Sequence, residues 1–167
     1  MLLQNDDILL RKLEPLDLPF LYAMENDSES WIYSDTHNPL SQNDLRDYLH
    51  NTTGDIYTDK QLRLIIQDKH GETLGAIDLF DFDPHNAKAA LGIYLKHSAR
   101  GKGIGRQAVS LLLEYASGFL HLEQVYAMIA RSNQRSINLF ERSNFRHTAT
   151  LPLWINKEDV FLFQYFF

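Results

Sequence analysis

The stretch "ARGKGIGRQA", residues 99–108, holds three glycines, three cations and one large apolar residue. It lies between "ALGIYL" (90–95), which reads as a strand, and "AVSLLLEYA" (108–116), which reads as a helix. Glycines 101, 103 and 105 clear side chains from a loop that opens a helix. Backbone N–H groups there can converge on an anion, helped by the helix dipole. Arg100, Lys102 and Arg106 add positive charge to the same spot. The functional reading is a phosphate or pyrophosphate cradle; the plain alternative is a glycine-rich turn with solvated basic residues. No Gly-Lys-Ser/Thr closes the loop, so it is not a Walker loop. The Gly-x-Gly-x-Gly spacing also departs from the dinucleotide fingerprint.

Outward from this loop, apolar residues at 104, 108, 111, 112, 115 and 116 mark one helix face, with Gly118 as the expected C-cap. Upstream, "ILLRKL" (8–13) reads as a strand, and Asp17 is placed to cap a helix through "LPFLYAMEN". Segment 27–40 is irregular and mixes aromatics with acids. Ser41 and Asp44 resemble a capping box before a helix near 42–50. "QLRLIIQ" (61–67), "TLGAIDLFDF" (73–82) and "KAALGIYL" (88–95) read as three strands joined by turns. "QVYAMIA" (124–130) reads as a buried strand. "NQRSINLFERSNF" (133–145) reads as a helix capped by Ser132 or Asn133 and ended by a left-handed Asn144. "LPLWINKEDVFLFQYF" (151–166) reads as a terminal hairpin. This order predicts a mixed α/β (α+β) fold in one domain, residues 1–167, and not a strict α/β repeat.

Composition narrows the function. With 167 residues and 44% hydrophobic content the chain has material for a core. It has no cysteine, which removes disulfides, thiolate metal sites and a cysteine nucleophile; no metal is expected. A net charge of −6 argues against nucleic acid as a partner and suits a cationic substrate. No apolar run approaches the roughly 18 residues of a membrane span. The first residues lack the features of a signal peptide, so no membrane partner and a cytoplasmic location are expected.

The loop and the residues beyond it carry a resemblance. "ARGKGIGRQAVSLLLEYA" resembles the acyl-CoA pyrophosphate motif of the GNAT superfamily of N-acetyltransferases, Arg/Gln-x-x-Gly-x-Gly/Ala, here Arg100, Gly101, Lys102, Gly103, Ile104 and Gly105. "VYAMIARSNQRSINLFERSNF" is similar to that family's fifth strand and next helix. The two motifs span about residues 75–146. "LRKLEPLDLPFLYAMEND" and "INKEDVFLFQYFF" look like the spermidine and ribosomal-protein branch.

The resemblance implies a mostly antiparallel splayed sheet flanked by helices. It implies acetyl-CoA as co-substrate and direct transfer of the acetyl group to a primary amine. The acceptor would be a polyamine, another small amine or a protein N-terminus. Ile93, Tyr94 and Leu95 would pair with the pantetheine arm, and a backbone N–H near Tyr94 or Leu95 would hold the oxyanion. Residues 100–106, Arg106 included, would bind the pyrophosphate. Asn133 would bond the pantetheine arm, or serve as a helix cap only. Asn138 and Phe140 would lie beside the thioester. Many relatives carry Tyr where this chain has Phe140, and Glu on the fourth strand where it reads "AALG". A general acid and a base are therefore missing from their usual places. Asp78 and Asp81 match positions where polyamine enzymes carry Glu and are the candidate bases. Strand alternation puts them on opposite faces, with Asp78, Phe80 and Phe82 sharing one. His85, His97 and His121 are weaker candidates, in turns or at helix ends. Trp31, Tyr33 and Asp35 would line the acceptor pocket, unless Trp31 plugs the core.

Two further classes remain beside the enzyme. One is an acyl-CoA sensor that keeps the cradle without the chemistry; the other is a phosphate binder unrelated to CoA. The apolar end "VFLFQYFF" is either a core strand or the interface of a homodimer, the usual assembly of that family.

Overall fold

Seven segments pair into one sheet. The computed structural model describes residues 3–34 and 36–167. The strands are β1 (Ile8–Lys12), β2 (Leu62–Asp68), β3 (Thr73–Asp83), β4 (Lys88–Leu95), β5 (Gln124–Ala130), β6 (Arg146–Ile155) and β7 (Glu158–Phe166). Their spatial order is β1-β2-β3-β4-β5-β7-β6, and only the β4–β5 pair is parallel. The helices are α1 (Leu18–Glu25), α2 (Ser28–Trp31), α3 (Gln42–Asn51), α4 (Ile56–Asp59), α5 (Ile104–Gly118) and α6 (Gln134–Arg142). The mixed fold expected from the element order is the fold observed.

Each sheet face has its own core. Leu64, Ile66, Ile77, Leu79, Leu91, Val125, Ala127 and Ile129 face the buried side of α5, through Ala108, Val109, Leu112 and Ala116, and of α6, through Ile137 and Phe140. The other face packs Ala76 and Tyr94 beneath Leu21 and Met24 of α1 and Leu45 of α3. The Ser41–Asp44 capping box forms as expected: Ser41 Oγ accepts from the Asp44 N–H at 3.1 Å, and Asp44 accepts from the Ser41 N–H at 2.8 Å.

Four local expectations are corrected. Asp17 does not cap α1 with its side chain; its carboxylate turns back to the Arg11 guanidinium, at 2.8 Å for both oxygens, and to the Glu14 N–H. Gly118 is the last residue of α5, and the left-handed residue comes later, at His121. The last hairpin begins at Arg146, five residues before its expected start at Leu151. Asp78, Phe80 and Phe82 do not share a face. A bulge between Phe80 and Asp83 places Asp81 at φ 48°, so Phe82 joins Ile77 and Leu79 in the α5-side core. One extra residue in a ladder reverses every later side chain.

Between α1 and the sheet stands a half-buried ion cluster. Arg63 on β2 bonds Asp78 on β3 with Nε and Nη2, and reaches Glu25 on α1 with Nη1. Its guanidinium lies 5.8 Å from the centroid of the Tyr48 ring on α3. Burial opposes the charge, but Asp78 and Glu25 outweigh it, so the guanidinium is held above its already high value. Truncating Arg63 leaves two half-buried carboxylates without their partner, a loss below the roughly 3–5 kcal/mol of a fully buried pair because water still reaches them. Arg63→Ala should therefore lower stability by about 2 kcal/mol in denaturant titration. Asp17 gives a pH prediction. Burial pushes its carboxyl up, yet hydrogen bonds from Arg11 and Glu14 prevail and hold it below the usual value. This contribution is full above the unfolded pKa of about 3.9 and fades as pH falls through the lower folded value. In Asp17→Asn, the loss of melting temperature on acidification below about pH 4 should be smaller than in the native chain.

Candidate active site

The parallel pair at the centre of the sheet is short. Only Lys88, Ala89 and Ala90 of β4 pair with Gln124, Val125 and Tyr126 of β5. Past Ala90 and Tyr126 the strands diverge, while β3 and β7 hold their outer edges. The gap is a cleft of about 590 Å³, lined by Leu91–Leu95 on one wall and Ala127–Ala130 on the other. Every second backbone N–H and C=O along those walls points into it without a ladder partner. Ile93, Tyr94 and Leu95 line the cleft.

The glycine loop lies at the end of β4. Gly101 (φ 72°) and Gly103 (φ 78°) sit in the left-handed region with nothing within 4 Å of where a Cβ would be. Gly105 is different: a Cβ there would lie 3.3 Å from side chains of Leu139 and Leu95, so it lets α5 pass close to α6 and β4. Lys102 and Arg106 are exposed. Arg100 is not part of this open charge. Its Nε donates to the Leu95 carbonyl at 3.0 Å, and its Nη1 is buried without a hydrogen bond among the described residues, 3.9 Å from Glu29. Its guanidinium also stands 6.0 Å from the Tyr94 ring centroid. Arg100 therefore ties the loop to β4 and lies beneath α2.

Asn133, at the end of β5, lines the cleft and caps α6, its Oδ1 accepting from the Ser136 N–H at 3.2 Å. Its amide nitrogen has no partner among the described residues. Phe140 also lines the cleft, 3% exposed and edge-on to Phe145. Asn138 does not reach it; two residues from Phe140, it points off the opposite side of α6, exposed and bonded to Gln134.

The two candidate bases have different surroundings. Asp78 accepts from Arg63 and Gln61, so both its oxygens are occupied. Asp81 is exposed, lines the cleft and accepts no side-chain hydrogen bond among the described residues. The bulge brings both residues to a neighbouring groove with Gln61 and Phe80. Among the described residues no histidine lines the cleft. Tyr33 lines it, whereas Trp31 does not: its indole N–H donates to the Glu25 carbonyl at 2.8 Å and holds α2 against α1. Asp35 lies outside the described residues. Tyr94 Oη donates to Asp27 at 3.1 Å, and burial together with this acid raises the phenol above its usual value.

Several lining residues escaped the sequence reading: Glu29, Phe80, Tyr126, Met128 and Trp154. The alternation in "QVYAMIA" held part of the signal, since Tyr126 and Met128 fall opposite the buried Val125, Ala127 and Ile129.

A known family has this geometry. The chain matches the acetyltransferase (GNAT) domain over residues 7–146. It is 25% identical over 141 residues to the spermidine N(1)-acetyltransferase of Vibrio cholerae, covering 84% of this chain and 80% of that one. It is 32% identical over 89 residues to the alpha/beta-tubulin-N-acetyltransferase 9 of Homo sapiens, covering 53% of this chain and 37% of that one. The crystal structure of the Vibrio cholerae spermidine N-acetyltransferase in complex with CoA and spermine has a TM-score of 0.87 at 23% identity, over 97% of this chain and 96% of that chain. The chain belongs to the GNAT acetyltransferase family and is an N-acetyltransferase.

The loop gives a direct test of its backbone. Gly103→Ala meets no side chain, so its cost is the left-handed conformation alone, about 1–2 kcal/mol. Calorimetry should show that loss.

Proposed function

We propose that the chain transfers the acetyl group of acetyl-CoA directly to a primary amine of a small cationic acceptor of the polyamine type. The observation that carries this reading is the through-sheet cleft. Its lining runs from Leu95 and Arg100, which lead into the glycine loop, to Tyr33, Phe80 and Asp81. The residues present fit the co-substrate. Open backbone edges on β4 suit a pantetheine arm, the unpartnered Arg100 Nη1 and Asn133 amide supply donors, and the bare α5 N-terminus with Lys102 and Arg106 suits a pyrophosphate. The Vibrio cholerae relatives support the acceptor class.

Bound acetyl-CoA supplies a thioester carbonyl open to attack by a neutral amine. The protein must therefore hold the amine, remove its proton and stabilise the oxyanion. Asp81 is the group placed to draw in the ammonium and pass its proton to water. An unpaired N–H on the Tyr94–Leu95 wall is the oxyanion donor. Phe140 has no proton to give; a leaving thiolate, with a pKa near that of a cysteine, departs without an acid. Asp78 serves through Arg63 as a support.

The reading is tested by free-thiol release from acetyl-CoA against spermidine, diamines, amino acids, aminoglycosides and peptides with free N-termini. Spermidine or a diamine should turn over fastest; a chain that binds acetyl-CoA and acetylates none of them sinks the proposal. Asp81→Asn should lower kcat/KM about 100-fold with CoA binding intact. Asn tolerates the left-handed conformation at that position, so the fold should survive. Asp78→Asn should instead show mainly as lost thermal stability.

A further inference from the structure

Large apolar side chains stand open in the cleft. Phe80 is 37% exposed, Met128 39% and Trp154 59%, with Tyr126 half-buried among the lining residues. Trp154 stands where the β6 ladder is broken. From Leu151, opposite Val160, to Ile155, opposite Glu158, β6 advances four residues while β7 advances two. The surplus bulges from the ladder, with Leu153 forced to φ 50°. A left-handed branched residue costs energy and needs support. Here the support is specific. The Leu153 N–H donates to Asp159 Oδ1 at 3.1 Å, and Asn156 Nδ2 donates to the Ile32 carbonyl at 2.9 Å. The second bond fastens the hairpin to the segment that carries Tyr33. The indole N–H of Trp154 has no hydrogen bond among the described residues, and no aromatic ring there stacks on it.

We propose that Trp154 determines acceptor specificity: its indole closes the acceptor end of the cleft and takes the ammonium-bearing chain of the acceptor against its ring face. This inference rests on the amine-acceptor reading above. An aromatic face in a partly desolvated site attracts a cation, and Asp81 on the same cleft supplies the opposite charge. Trp154 is a specificity residue that touches the acceptor and moves no proton.

The test compares Trp154→Ala, Trp154→Phe and Trp154→Leu in the full chain, with acetyl-CoA and spermidine. Trp154→Ala should raise KM for spermidine about tenfold, with kcat and the KM for acetyl-CoA within about twofold. Trp154→Phe should keep most of the affinity, and Trp154→Leu should behave like Trp154→Ala because it has area without a ring face. In a separate titration with CoA present, spermidine should change the tryptophan emission of the native chain, and Trp154→Phe should lose that response. An unchanged spermidine KM in Trp154→Ala, or rescue by Leu equal to Phe, overturns this inference and leaves the proposed function standing. Native protein that acetylates no amine overturns the proposed function. If its emission also ignores spermidine, the role of Trp154 falls with it.

Discussion

Much of this architecture depends on the early parting of β4 and β5. A parallel ladder that stops after Ala90 and Tyr126 leaves a row of unpaired peptide groups on each wall. Buried in apolar surroundings, each would cost energy comparable to a lost hydrogen bond. Here they face an open cleft instead, and the opposite edges are held in ladders, β4 by β3 up to the bulge at Phe80–Asp83 and β5 by β7, so neither strand slides to close the gap. The α6 helix then covers one side through Leu139 and Phe140, and its cap, Asn133, sits where β5 ends. The open edges are what an extended, amide-bearing ligand can satisfy as an added strand.

Charge is sorted across this opening despite the net acidity of the chain. Lys102 and Arg106 are exposed at the α5 N-terminus and make no side-chain bond among the described residues, while Arg63 is turned inward and committed to structure and Arg100 is tied through Nε to the Leu95 carbonyl. The acids divide in the same way. Asp17 and Asp78 answer arginines in the scaffold, and Asp81, three residues beyond Asp78, is left unanswered in the cleft. A single bulge makes that difference: in a regular strand Asp81 would point into the α5-side core with Ile77 and Leu79.

The sheet, its order of elements and the glycine loop were legible because local rules specify them. Period-two alternation, a capping box at Ser41 and positive-φ glycines are properties of a few adjacent residues. The distinction between Asp78 and Asp81 was not legible, because it depends on Arg63 across the sheet and on where the ladder slips. Asn138 fails for a simpler reason: it shares a motif with its neighbours but not a face, since two residues along a helix turn a side chain about 200° away. Trp154 was not legible either, because its bulge is fixed by Asp159 and by the carbonyl of Ile32, a partner 124 residues from Asn156.

The two halves of the site are held with unequal strength. The β4 and β5 walls belong to ladders backed by a close-packed core, which holds them firmly. Over them, the segment after α1 is tied down by a few separate bonds: Trp31 to the Glu25 carbonyl, Asp27 to Tyr94, and the Ile32 carbonyl to Asn156. Each is worth on the order of 1 kcal/mol. The ladder-held half includes the β4 wall that runs into the glycine loop. The lightly tied half brings Glu29, Ser30, Tyr33 and Ser34 to the same cleft.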